Sequence, residues 1–384
     1  MRRNAPKANI LTFQITNQCQ LRCKYCYTDA AAELPPCMPR ETAYRAIDYF
    51  LRDRERFTAN LVSLDFIGGE PFLYVELIED IICYFLKRSM ETGHSWYDGH
   101  MFSITTNGIC YSDPKIQEFI QKYLKELHIN ITLDGTKKKH NTNRLYPDGR
   151  GSYENVVGNI PLWVSQFPEG ASKVTLTRED LPEICDSVEN LWSLGIRNIN
   201  FGFVLEDSWQ PEDADIISEQ LKKLADLVVQ NGMMDGRRLP FFNITDPGRL
   251  PDTKAAKGVC NAGNIVTVGL DGKLYPCARF APGTQTSKPD RYIGDVVNGI
   301  NDDLLRPFVT YDRRKYSSSQ CEECEVDNSC NWCHAANYTL ADTPTICQPS
   351  LGLCEVSKAI VRANQYFYKI SKQGDELHEE RPGN

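Results

Sequence analysis

Through the first two thirds of the chain, short β-rich runs alternate with amphipathic helical patterns, and this alternation narrows the fold more than any other feature. The runs are ILTFQIT (10–16), LVSLDFI (61–67), MFSITT (101–106), LHINITL (127–133), KVTLT (173–177) and NINFGFV (198–204). Between the first two, Ala43, Ala46, Ile47, Phe50 and Leu51 keep helical spacing. Ile78, Ile81, Ile82 and Phe85 do so after the second run, and Ile116, Phe119, Ile120 and Tyr123 after the third. Such alternation predicts βαβ units with right-handed crossovers and a parallel sheet. Six units are too few for a closed eight-stranded barrel. The expected fold is therefore α/β, an open partial (β/α)6 TIM-type barrel over residues 1–235.

A helical stretch near 212–230 is followed by NGMMDGRRLPFFNITDPGRLP (231–251), rich in turn residues, and 236–259 reads as a linker. Residues 260–355 are dense in cysteine and poor in long periodic runs, so this second, smaller domain is expected to rely on metal for its shape. Residues 355–370 look helical, and GDELHEERPGN at the end reads as a disordered tail.

The formal charge of −8 on 384 residues argues against nucleic acid as a partner. The lysine run 137–139 and RDRER (52–56) read as solvated faces. No window approaches the roughly 20 apolar residues of a membrane helix, and the N-terminus lacks the apolar core of a signal peptide. The expectation is a cytoplasmic protein, with no membrane partner. There, most of its 15 cysteines would stay reduced, and their clustering suggests metal or redox chemistry.

Directly after the first run comes CQLRCKYC, which places Cys19, Cys23 and Cys26 in a CX3CX2C pattern. In α/β barrels the loops at the C-terminal strand ends carry the chemistry. Three soft thiolates suit a four-iron cluster that leaves one iron for another ligand. A zinc site or buried structural thiols are the competing readings for the triplet alone. The second run leads into GGEP, Gly68 to Pro71. Paired glycines allow a backbone to approach a ligand, and a carboxylate after them can accept hydrogen bonds from an ammonium.

With these two motifs in order, the chain resembles the radical S-adenosylmethionine (radical SAM) superfamily. The resemblance implies that Cys19, Cys23 and Cys26 hold a [4Fe-4S] cluster whose free iron chelates SAM. It also implies reductive cleavage of SAM to a 5′-deoxyadenosyl radical. It places Gly68, Gly69 and Glu70 at the methionine amino group and Tyr25 by the adenine. TTNG (105–108) and LDGT (133–136) match family positions, which adds Thr105 and Asp134 as cofactor-binding residues. Arg144 falls where related maturases place an arginine on the SAM carboxylate; the plain alternative is a surface arginine.

Farther on, Cys260, Gly272 and Cys277 are followed by Cys321, Cys324, Cys330 and Cys333 in a CX2CX5CX2C pattern, then by Cys347 and Cys354. Two CX2C pairs alone also fit a zinc ribbon. The whole arrangement resembles the SPASM domain, which holds two auxiliary [4Fe-4S] clusters. That resemblance assigns Cys260, Cys277 and Cys333 to the nearer cluster, and Cys321, Cys324, Cys330 and Cys347 to the farther one. Either Cys354 completes the nearer cluster or one of its irons stays open, and an open iron could bind a substrate thiolate. The chain has CX2C where the family has CX3C, which weakens the Cys333 assignment. Of the remaining thiols, Cys83, Cys110 and Cys185 read as buried small hydrophobes. Cys37, in ELPPCMP, reads as a loop thiol near the cluster loop.

The runs ITNQCQLRCKYCY, DFIGGEPFL, TLDGTKKKHNTNRLYPDGRGSY and NIPLWVSQFP most resemble maturases of Cys-x-x-x-repeat ribosomal peptides. The implied activity is thioether formation from a peptide cysteine sulfur to another residue's carbon. The implied partners are a small ribosomally made cysteine-containing precursor peptide and an electron donor such as flavodoxin or ferredoxin. With only residues 1–9 before the first run, leader recognition would be absent, built in elsewhere, or supplied by a separate leader-binding protein. Ala278 stands where sulfatase-maturating relatives carry a catalytic aspartate, and weighs against formylglycine formation. A carbon–carbon cross-linking maturase is the other enzymatic alternative. GGEP and Arg144 argue against a non-catalytic iron–sulfur carrier or sensor.

Overall fold

All six β-rich runs form strands in the computed structural model, which describes residues 8–28, 34–207, 209–231, 260–284, 288–316, 319–324, 326, 332–349 and 351–379. They are β1 (Ala8–Thr16), β2 (Leu61–Gly68), β3 (His100–Thr106), β4 (Leu127–Thr132), β5 (Ala171–Leu176) and β6 (Asn198–Phe203). The expected linker, 236–259, lies outside the described residues. Two compact units interleave along the chain. One holds Met1–Thr132, Asn143–Gly170 and Asn261–Tyr311; the other holds Leu133–Thr142, Ala171–Cys260 and Asp312–Asn384.

In the first unit, β1 to β4 pair in parallel, in sequence order. The free edge of β1 is taken by β7 (Ile265–Val268), again in parallel. β8 (Lys273–Tyr275), β9 (Gly294–Asp295) and β10 (Gly299–Ile300) continue the sheet antiparallel. Residues 261–311 thus belong with β1, so the division is not the consecutive one expected from the cysteine-dense stretch. An unpaired strand edge exposes a row of backbone donors and acceptors, and the β-branched IVTV run meets it. That run is too short to stand out by periodicity alone.

In β1 to β4, buried apolar residues on one face alternate with mostly polar residues on the other. Leu11, Phe13, Ile15, Leu64, Phe66, Phe102, Ile104, Ile129 and Ile131 are each at most 2% exposed. The Phe102 ring sits 6.3 Å from that of Phe85 in the helix Val75–Glu91 and 6.2 Å from that of Tyr123 in the helix Pro114–Tyr123. The second of these helices starts cleanly because Asp113 accepts the Lys115 N–H at 2.9 Å and Pro114 needs no donor partner. The opposite strand face is polar: Thr12 pairs in register with Asp65, and Asp65 with Ser103.

In the second unit, β5 and β6 pair in parallel. The helix Asp213–Gln230 lies against the helix Leu351–Glu379, where the Tyr366 hydroxyl donates to Asp226 at 2.7 Å. This last helix runs into the stretch expected to be a disordered tail. Lys139 overturns the solvated-face expectation for its run. It is 1% exposed, and its ammonium donates to the Thr175 carbonyl at 2.8 Å with Asp180 at 3.9 Å. Cys83 is another correction. It is exposed, not buried, because Ile78, Ile81, Ile82 and Phe85 take the inner face of its helix.

Ile81 is 0% exposed and Met90, on the same helix, is 58% exposed. Ile81→Ala should cost roughly 2–5 kcal/mol in chemical denaturation, against about 0.5 kcal/mol or less for Met90→Ala. Equal losses would place the core elsewhere.

Candidate active site

The cysteine loop leaves β1 at Thr16 and is pinned by backbone bonds from two directions. Arg22 N–H donates to the Leu145 carbonyl at 2.7 Å and Lys24 N–H to that of Asn143 at 3.0 Å. From the end of β2, Gly69 N–H reaches the Thr16 carbonyl and Glu70 N–H that of Gln18, each at 2.8 Å. The two glycines are required by this approach: a Cβ on Gly68 would lie 2.3 Å from Thr16 O, and one on Gly69 2.2 Å from Gln18 O. The close contact read from GGEP is therefore first of all a contact with the cysteine loop itself.

Glu70 is 1% exposed and carries three donors. Oε1 accepts from Thr106 Oγ1 at 2.7 Å and Phe72 N–H at 3.1 Å, and Oε2 from Asn107 N–H at 2.7 Å. Burial pushes its carboxyl up; the three donors and the Arg144 charge pull against that rise. Of the TTNG residues, then, Thr106 and Asn107 make these bonds, while Thr105, the residue read from the sequence, lies on the partly exposed alternate face. Asn107 also donates through Nδ2 to Cys19 Sγ at 3.7 Å and to Gln20 Oε1 at 3.1 Å. Leu21 N–H is a second donor to Cys19 Sγ, at 3.4 Å. Burial pushes the Cys19 thiol up, opposed by these donors and by Arg144 and reinforced by the Glu70 charge.

Arg144 is 6% exposed, so it is not a surface arginine. Its Nη1 donates to the Tyr25 hydroxyl at 3.0 Å, which brings together two residues read separately from the sequence. Cys23 and Cys26 are half-buried, with Cys26 Sγ 3.0 Å from Thr28 Oγ1. The Tyr27 ring lies 4.6 Å under the Arg279 guanidinium, just beyond Cys277, which opens the short turn Ala278–Phe280. Asp65, on the polar strand face, is a half-buried acid that sequence reading missed. Burial pushes its carboxyl up against hydrogen bonds from Ser103 and Thr12. Its place inside the run LVSLDFI, a lone acid in a strand, was the available clue.

Asp134 belongs to the second unit, where it is 0% exposed and its Oδ1 accepts the Thr175 N–H of β5 at 2.9 Å. Cys260, Cys321, Cys324, Cys333, Cys347 and Cys354 are half-buried in the same unit, and Cys330 lies outside the described residues. Cys333 Sγ accepts the Ala336 N–H at 3.5 Å. Cys185 is buried as expected, whereas Cys110 is only half-buried. It shares with Cys37, Phe72 and Tyr74 the wall of a cavity of about 610 Å³.

Residues 13–177 match the radical SAM superfamily. Over 271 residues the chain is 28% identical to an uncharacterized protein of Methanocaldococcus jannaschii, covering 70% of this chain and 84% of that one. It is 24% identical over 341 residues to a cysteine-type anaerobic sulfatase-maturating enzyme of Clostridium novyi, 83% of each chain. Among solved structures, anSMEcpe with bound AdoMet and the Cp18Cys peptide superposes with a TM-score of 0.71 at 18% identity, over 96% of this chain and 99% of that one. The fold is the α/β partial barrel of radical SAM proteins. No helix among the described residues is long and apolar enough to cross a membrane.

The superfamily implies a [4Fe-4S] cluster and SAM, and the donor set fits them. A four-iron cube takes one thiolate at each corner, so three half-buried thiols spread along one loop suit it. The buried Arg144 adds a cation for a carboxylate. Thr106→Val removes one donor to the buried Glu70 carboxylate and should cost roughly 1–3 kcal/mol in denaturation. A loss below about 0.5 kcal/mol would show that the hydroxyl carries none of the burial of that charge.

Proposed function

We propose that this radical SAM protein oxidatively modifies a small ribosomally made, cysteine-containing peptide and joins the cysteine sulfur to another residue's carbon as a thioether. The observation that carries the radical SAM part is the linked set Cys19–Asn107–Glu70, with Arg144 on Tyr25, around one loop of three cysteines. Cys19, Cys23 and Cys26 would hold the cluster. Arg144 serves as the cation for the SAM carboxylate and Tyr25 as the group beside the adenine. Gly68 and Gly69 bring their turn to the cysteine loop for the methionine amino group. Glu70, its carboxylate already carrying three protein donors, fixes that turn in place. When bound, the reduced cluster and SAM supply a 5′-deoxyadenosyl radical able to take a hydrogen atom from the acceptor carbon.

The peptide substrate is supported by the similarity to anSMEcpe, a structure with AdoMet and a peptide bound. The thioether product is supported by the likeness of ITNQCQLRCKYCY and DFIGGEPFL to maturases of cysteine-repeat peptides. In the second unit, Cys321, Cys324 and Cys347, with Cys330, would hold an auxiliary cluster, which would take the one electron released when the cysteine sulfur, having lost its thiol proton, bonds to the acceptor carbon. An electron donor of the flavodoxin or ferredoxin type and a separate leader-binding protein complete the partners in this reading. Similarity to the sulfatase-maturating enzyme of Clostridium novyi favours a second reading, oxidation of a cysteine side chain to a carbonyl. Ala278 weighs against it, since an aspartate at that place would supply the base.

Replacing Cys19, Cys23 and Cys26 by alanine should abolish 5′-deoxyadenosine formation from SAM, measured by chromatography; retained formation would sink the assignment. The product is tested by anaerobic co-expression with a short cysteine-repeat peptide encoded beside this protein, followed by intact mass. Loss of two hydrogens per cysteine, with those thiols resistant to alkylation, is the expected outcome. Hydrogen loss with every thiol still alkylatable would establish the carbonyl or carbon–carbon product instead.

A further inference from the structure

All polar groups of the Asn107 side chain are committed around the Cys19 sulfur. Nδ2 lies 3.7 Å from Cys19 Sγ and 3.1 Å from Gln20 Oε1, so its two hydrogens are divided between them. Oδ1 accepts the Ile109 N–H at 3.0 Å, and the Asn107 N–H donates to Glu70 Oε2 at 2.7 Å. The Oδ1 bond alone is an ordinary turn-forming contact and would explain an asparagine here without reference to sulfur. Because the amide is planar, the same bond also sets the side on which Nδ2 lies.

Gln20 is a second hold on that orientation. Its Nε2 donates to Cys110 Sγ at 3.1 Å, which turns its carbonyl toward Asn107. Asn107 is 6% exposed and Glu70 1%, so water does not compete freely for these bonds. The chain Cys110–Gln20–Asn107–Cys19 therefore fixes one N–H on the sulfur, from a residue distant in sequence from the cysteine loop.

We propose that Asn107 is a positioning residue whose N–H to Cys19 raises the reduction potential of the cluster held by this loop, with Gln20 and Cys110 as a second hold on the direction of that bond. The inference rests on the reading that Cys19, Cys23 and Cys26 hold a cluster. Adding an electron raises the negative charge on the cluster sulfurs, so a donor aimed at one of them binds the reduced state more strongly. Removing the donor makes the cluster harder to reduce.

The test is a redox titration of the anaerobically reconstituted full-length protein, followed by electron paramagnetic resonance. The signal followed is the one that added SAM perturbs, which separates this cluster from any other. In Asn107→Ala the midpoint should move to more negative potential. At the midpoint of the unsubstituted protein, the reduced-to-oxidised ratio should fall roughly 2- to 10-fold, the size of one net hydrogen bond. Gln20→Ala keeps the donor and loses one hold on it, so a smaller shift of the same sign is expected; it also serves if Asn107→Ala fails to retain the cluster. An unchanged midpoint in Gln20→Ala and in any Asn107→Ala protein that retains the SAM-sensitive signal overturns the inference, even if both variants are less stable. Absence of any such signal in the unsubstituted protein overturns the inference together with the reading beneath it.

Discussion

Burying the Glu70 carboxylate without partners would cost several kcal/mol, and the three donors that meet it organise the surrounding site. One donor comes from the turn after β2 and two from the end of β3. Through its own N–H, Glu70 also holds the Gln18 carbonyl of the loop after β1. A single residue thus registers the C-terminal ends of three neighbouring strands. The cysteine loop inherits its position from that registration, and so does the asparagine that donates to Cys19.

The polar groups of the site are layered. Nearest the cysteines lie Asn107, the Leu21 N–H and the Arg144–Tyr25 pair. Behind them, Gln20, Glu70 and Thr106 hold those groups in place. Metal ligands and cofactor contacts are commonly oriented by just such outer partners. Lys139 and Asp134 make comparable buried bonds in the second unit, where the ammonium finds the Thr175 carbonyl and the carboxylate the N–H of the same residue. Glu70, Lys139 and Asp134 thus each bond a backbone group at or beside a strand end.

Arg279 over Tyr27 shows the same economy on the side facing Cys277. Burial pushes the Tyr27 phenol up and the guanidinium of Arg279, two residues past Cys277, opposes that rise from above the ring. In this chain the place after Cys277 is taken by a small residue, Ala278, and the next residue turns its charge onto the loop of the first cysteines.

The six strands, the helix faces built on Ile81 and Ile120, and the CX3CX2C–GGEP pair were legible because period-2 and period-3.6 burial and short motif spacing are local properties of a sequence. The buried face of each helix follows from the same periodicity, and only its edge positions, such as Cys83, were misread. Contacts between residues distant in sequence were not legible. β7 joins β1 because a free strand edge needs a partner, and nothing in IVTV says which edge that will be. Thr106 and Asn107, rather than Thr105, meet Glu70 because strand alternation and a turn decide which side chain faces inward. Lys139 is buried because a strand-end carbonyl and Asp180 wait for its ammonium, although its neighbours Lys137 and Lys138 made the run look solvated. The sequence alone determined the first six strands, the helix faces between them and the chemical kind of the site; the tertiary structure decided where the short later strands pair and which polar groups meet, since partners across strands are set by register and burial rather than by proximity in the chain.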